Sequence, residues 1–184
     1  MTIAKFDMPE FLEGQRICLK RRTHAYDEAM WKAIDDNREF LRRYLFWVDY
    51  NRSIRDVIKA TDMFDNEWAT HSEQAHLIID KNRDELLGCI GIHKFDFANH
   101  CGEVGYWLRE DKTGKGYLSE ALKLTEDAAF ANKIRRLTIR CDAENKASAN
   151  VALRNGYELE SVRKEFIFTY GEFHDEEVYV KIHR

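Results

Sequence analysis

Two glycines set two residues apart, Gly114 and Gly116, lie between a strand-like run and a helix-like run. Before them, Val104, Tyr106 and Leu108 alternate at period two; after them, Leu118, Ala121, Leu122, Thr125 and Ala129 fall on one helical face. A strand, a glycine loop and a helix start together present unpaired backbone N–H groups to an anion such as a diphosphate. On the spacing alone, the two glycines serve equally well as a plain turn. The loop is not a nucleotide-hydrolysis loop, because Gly-x-x-x-x-Gly-Lys-[Ser/Thr] is absent. Asn145 and Ser148 open a later helical run, where an asparagine is a natural N-cap. His71 and His76 lack metal-ligand spacing and no His-Glu-x-x-His occurs, so no metal is expected.

The elements that must carry these residues follow from periodicity and turn chemistry. Residues 1–15 read as a lead-in, Gln15–Arg21 as a first strand and His24–Asn37 as a helix. A shorter helical piece holds Phe40, Leu41, Tyr44 and Leu45, and Phe46-Trp47-Val48 is an unusually apolar connection. Ser53 is placed to cap a helix that ends before His76. Ala75–Asp80 and Leu86–Phe95 read as a hairpin leading into the central strand. Arg136–Cys141 is a short strand, and Asn145–Asn155 a short helix stopped by Gly156. Glu158–Thr169 and Glu172–Ile182 are long strands around Tyr170-Gly171. The expected architecture is a mixed sheet with helices on both faces.

Composition narrows the partners. A length of 184 residues fits one domain spanning 1–184, with a core over about 15–182. The net charge of −4, from 29 basic and 33 acidic residues, predicts no general affinity for nucleic acid or an anionic membrane. Apolar runs are too short for a bilayer span and the N-terminus lacks a signal core. Cys18, Cys89, Cys101 and Cys141 are scattered, which predicts reduced thiols and a cytoplasmic location.

Several blocks, in order, resemble the Gcn5-related N-acetyltransferase (GNAT) superfamily and, within it, the Rim-type ribosomal-protein N-acetyltransferases. The blocks are Glu103-Val-Gly-Tyr-Trp-Leu, Gly114-Lys-Gly-Tyr, Asn145-Lys-Ala-Ser148, Asn150-Val-Ala-Leu-Arg-Asn-Gly-Tyr157 and Tyr170-Gly-Glu-Phe-His-Asp175. The resemblance implies a GNAT fold: a central, mostly antiparallel, twisted sheet of about seven strands, helices on both faces, and a central parallel pair that splays apart. It implies acetyl-CoA as cosubstrate and no metal. One departure stands at Asp111, where the superfamily carries Gln or Arg; a carboxylate there must turn away from a diphosphate, leaving the backbone to bind it.

The resemblance also assigns roles. Lys112, Thr113, Gly114, Lys115, Gly116 and Tyr117 would cradle the diphosphate, while Tyr106, Trp107 and Leu108 would pair with the pantetheine arm like an added strand. Asn145 and Asn150 are expected at the CoA arm, Asn145 equally as an N-cap. Ser148 is a candidate general acid for the departing thiolate, or simply supports its helix. Two carboxylates are candidates for the base, each of them equally a solvated strand residue: Glu103 on the central strand and Glu165 on the long strand, the latter two residues from the position the family uses, occupied here by Ile167. With period-two alternation Glu165 would share the face of Ile167. Cys141 is a buried hydrophobe or, if open to the thiol, a partner for a mixed disulfide with CoA. Phe46, Trp47 and His174 are expected to line the acceptor pocket.

The implied acceptor is an amine. An α-amino group with pKa about 7.8 is roughly 14% neutral at pH 7, against about 0.04% for a lysine, so an N-terminal acceptor needs less help from a base. The resemblance favours a ribosomal-protein N-terminus; a polyamine, amino sugar or amino acid is the alternative, and a non-catalytic CoA-binding regulator a third. Monomer and homodimer both stay open.

Overall fold

A computed structural model describes residues 6–184. Eight strands form one sheet, in the spatial order β1-β2-β3-β4-β5-β6-β8-β7. They are β1 (Phe11–Glu13), β2 (Ile17–Arg21), β3 (Glu73–Asp80), β4 (Glu85–Asp96), β5 (Cys101–Leu108), β6 (Arg136–Asp142), β7 (Glu158–Thr169) and β8 (Glu172–Ile182). The expected seven thus become eight, because β1 forms within the stretch read as a lead-in. It pairs with β2 through Phe11 opposite Lys20 and is only three residues long, too short to show periodicity.

Among the described residues there are five α-helices: α1 (Asp27–Asp35), α2 (Arg38–Arg42), α3 (Ile54–Thr70), α4 (Tyr117–Ala131) and α5 (Lys146–Arg154). Phe46–Tyr50 and Glu110–Lys112 are single 3-10 turns. Ser53 stands at the N-cap of α3 with extended backbone, but its hydroxyl donates to the Asp56 carboxylate at 2.9 Å rather than accepting a helix amide. Gly156 follows α5 at φ +81°, the left-handed stop its sequence position implies.

Alternation along the inner strands sorts the core into two layers. Ile78 of β3, with Ile17 and Leu19 of β2, packs against Ala121, Leu122 and Ala129 of α4 and Ala149 and Ala152 of α5. Their neighbours Cys18, Leu77 and Ile79 pack against Met30 and Ile34 of α1, Leu41 of α2 and Val57 of α3. Helices therefore cover both faces, and β3 is buried along seven of its eight positions.

The sheet is antiparallel except between β5 and β6. That parallel pair holds only at Cys101–Arg136, Gly102–Leu137 and Glu103–Thr138. Beyond this point β5 continues against β4 as far as Leu108, and β6 continues against β8 as far as Asp142. A wedge-shaped gap therefore opens in the middle of the sheet, bordered on each side by strand backbone with one neighbour instead of two.

Candidate active site

The closed end of the gap is marked by Glu103. Its carboxylate lies 3.1 Å from His93 Nε2, 2.9 Å from Lys94 Nζ and 3.4 Å from Arg140. Burial alone would push this acid up, but the His93 and Lys94 hydrogen bonds and the Arg140 charge outweigh it and hold it at about 2. A carboxylate so stabilised is a weak proton acceptor, which counts against Glu103 as the catalytic base. Its place in the sheet suits it instead to fix the point where the two strands diverge.

On the α5 side of the open gap, Tyr106 extends its hydroxyl to Ser148 Oγ at 3.0 Å. Burial raises the Tyr106 phenol, so it stays protonated and can donate to the serine. The Ser148 amide donates to Asn145 Oδ1 at 3.1 Å, so Asn145 is the N-cap its sequence position suggests. Cys141, at the end of β6, is 8% exposed. Burial pushes its thiol up to about 11, partly offset by a hydrogen bond with Ser148. The structure thus gathers Tyr106, Cys141, Asn145 and Ser148 at one point beside the gap. Asn150 lies two residues past Ser148 on α5, exposed to solvent. Leu108 is buried in the core, and Trp107 faces the opposite layer, its ring 5.9 Å from that of Trp47. These two side chains pack; only the β5 backbone at these positions borders the gap.

The glycine loop refines the expectation. The Lys112 amide donates to Arg109 and the Thr113 amide to Glu110, closing the 3-10 turn. Among the described residues, the next six amides, from Gly114 to Ser119, have no acceptor within the chain. The unpaired amides are therefore those of 114–119 rather than 112–117, and they run from the loop into the exposed N-terminus of α4, an arrangement that could hold an anion. Gly114 and Gly116 sit at φ +71° and +79°, a left-handed backbone that favours glycine. The Lys112 side chain is turned inward to Glu85 at 2.6 Å, and Lys115 Nζ folds back on the Asp111 carbonyl at 2.7 Å. The Tyr117 hydroxyl donates to Asp80 at 3.3 Å, so only its amide is left unpaired at the loop. Asp111 pairs with Arg109 at 3.1 Å and with Lys112 at 3.4 Å, which neutralises the carboxylate expected to repel a diphosphate.

Sequence reading missed Arg16. Its guanidinium donates to the Lys115 carbonyl at 2.8 Å, pairs with Glu120 at 2.9 Å and lies over the Tyr117 ring at 4.8 Å. It brings positive charge to a loop whose own lysines are engaged elsewhere. No local pattern announces it, because about a hundred positions separate it from the loop it meets.

On the other face, Trp47 is half-buried against Trp107, whereas Phe46 is 63% exposed and meets Tyr50 edge-on. Tyr44 donates to the Glu144 carbonyl at 3.3 Å and Tyr170 to Asp49 at 3.0 Å, tying the early helices to the end of β6 and to the last hairpin. His174 lies there with Nδ1 3.2 Å from Asp142. Glu165 does not keep the alternation expected of it. β7 bulges between Arg163 and Ile167, Glu165 takes φ +48°, its amide is held by Asp175 at 3.0 Å, and the residue is exposed.

Known proteins share both the sequence and the fold of this chain. Residues 16–158 match the acetyltransferase (GNAT) domain family. A ribosomal-protein-serine acetyltransferase of Escherichia coli (strain K12) is 31% identical over 156 residues, covering 84% of this chain and 86% of that protein. Among solved structures, RimL, a ribosomal L7/L12 α-N-protein acetyltransferase in complex with coenzyme A through a cysteine disulfide, superposes with a TM-score of 0.89 at 27% identity, covering 94% of this chain and 98% of that one. The microcin C7 self-immunity acetyltransferase MccE, in complex with acetyl-CoA and AMP, gives a TM-score of 0.86 at 25% identity, covering 91% and 93%. With most of its length inside the family match and a 31% identical relative spanning 84% of it, the chain belongs to the GNAT acetyltransferase family.

Proposed function

We propose that this chain transfers an acetyl group from acetyl-CoA to the α-amino group of a ribosomal protein, acting as one domain in the cytoplasm. The observation that carries the reading is the run of unpaired amides from Gly114 to Ser119, in the segment that follows β5, the strand bordering the gap. Diphosphate oxygens suit those amides, with Arg16 beside them. The open backbone edge of β5 suits the amide-bearing arm of CoA, placing the thioester near Ser148 and Cys141. Relatives that modify ribosomal-protein N-termini supply the acceptor class.

The chemistry is direct transfer. As the amine nitrogen attacks, a β5 backbone N–H polarises the thioester carbonyl. The C–N bond forms, the C–S bond breaks, and Ser148, with Tyr106 as hydrogen-bond donor behind it, gives a proton to the leaving thiolate. Among the described residues no helix is long and apolar enough to cross a membrane, in keeping with a water-borne acceptor.

The deciding experiment is an acetylation assay with acetyl-CoA on a panel of ribosomal-protein N-terminal peptides and, in parallel, polyamines, amino sugars and amino acids. Turnover of peptides is the expected result. Turnover of small amines alone would overturn the acceptor, and tight acetyl-CoA binding without turnover of any amine would overturn catalysis.

A further inference from the structure

Direct transfer leaves a proton on the attacking nitrogen, and the candidates to remove it are few. Arg140 ties together one row of side chains on the face away from α4 and α5, with Glu103 at 3.4 Å and Glu176 at 3.1 Å. Glu103 is committed to its cations. Glu176 is 3% exposed and clasped between Arg140 and Arg163. Glu165 is carried outward by the bulge in β7.

His174 lies two residues from Glu176 on β8, hence on the same face, and Asp142 lies two residues from Arg140 on β6. The imidazole Nδ1 faces the buried Asp142 carboxylate, and among the described residues no hydrogen bond engages Nε2. Asp142 directly follows Cys141 at the open end of β6, past the last rung to β5 at Thr138, so the pair sits beside the gap. Near the ring are Asp142 at 3.2 Å and Glu144, just past β6, at 4.0 Å, with the apolar Ile167 opposite on β7; two residues along β8, Glu176 is taken up by Arg140 and Arg163.

We propose that His174, supported by Asp142, is the base that accepts the proton of the incoming amine; this rests on the acetyltransferase reading above. The nitrogen forms its bond to the acyl carbon and gives one proton to Nε2, and Asp142 stabilises the imidazolium. The sulfur leaves with the bond electrons and takes the Ser148 proton. The imidazolium then returns its proton, through solvent, to Ser148. The sum is amine plus thioester giving amide plus thiol, with no other reactant.

The test compares wild type with His174→Gln, His174→Ala and Asp142→Asn. Steady-state kinetics would use an N-terminal peptide across pH 5.5–9, beside acetyl-CoA affinity and thermal unfolding for each variant. In the histidine variants kcat should fall about 10- to 100-fold while the peptide KM stays within about twofold. The acidic limb of the pH profile should change, and free imidazole should restore part of the rate to His174→Ala. Asp142→Asn should lose less, with the limb displaced. Unaltered kcat and pH profile in His174→Gln, with acetyl-CoA binding intact, would overturn the proposal, as would a rise in KM alone. Asp142, Glu144 and His174 also converge closely enough to hold a cation, so activity lost to a chelator and restored by a divalent metal would overturn it too. A wild-type chain that acetylates no amine removes the functional reading itself, whereas an active wild type beside an indifferent His174→Gln removes only the base.

Discussion

Replacing Gly114 with leucine separates the cost to the fold from the cost to cofactor binding. A Cβ at this position meets nothing within 4 Å, so the folded chain has room for it. The residue must nevertheless keep φ near +71°, which costs a non-glycine residue about 1–2 kcal/mol. The larger effect falls on the ligand, because the new side chain rises from the first of the six free amides. A hydrogen bond to a charged acceptor contributes about 1.5–3 kcal/mol, so losing one weakens binding about 10- to 150-fold. Isothermal titration with acetyl-CoA measures this directly, and thermal unfolding measures the strain. A truncated donor, an acetyl-pantetheine thioester without the diphosphate, supplies the control: its turnover should hardly change. An unaltered acetyl-CoA affinity in a folded variant, or equal loss with both donors, would refute the assignment of the cradle.

Other consequences are testable at single positions. Arg16→Ala should weaken acetyl-CoA binding about three- to tenfold, and the difference from wild type should shrink as salt rises; equal affinities at low salt would remove Arg16 from the site. Ser148→Ala should lower kcat by about 10- to 100-fold with little change in either KM, and Tyr106→Phe should lower it less. Because the Glu103 carboxyl is depressed from 4.5 to about 2 on folding, its contribution is complete above pH 4.5 and disappears as pH falls towards 2. That shift corresponds to about 3 kcal/mol, so acid unfolding followed by circular dichroism should be steep in this window and flatter in Glu103→Gln.

What the sequence disclosed and what it hid divide by range. The run from β5 through Gly114 and Gly116 into α4 was readable because each piece carries a local signature: period two, left-handed glycines, then period 3.6. Asn145 was readable for the same reason, since a cap and its amide are three residues apart. The hidden parts depend on distant partners. Glu103 looks like a free acid until His93, Lys94 and Arg140 arrive from β4 and β6. Lys112 looks like a phosphate ligand until Glu85 claims it. The bulge that displaces Glu165 leaves no mark on the alternation of β7, because neither the chain between Arg163 and Ile167 nor its neighbours contain glycine or proline there. Arg16 had no signal at all, being placed by the pairing of β2 rather than by anything near it.

The three-rung junction between β5 and β6 makes the sheet two plates joined by a short seam. One plate carries β1–β5 and the other β6, β8 and β7, and backbone bonding across the middle stops at Glu103 and Thr138. A ligand threaded into the opening would act as mortar, lending the missing rungs and locking the plates together. The apo molecule should then breathe most along that line, and loading the cosubstrate should stiffen the scaffold before any acceptor arrives.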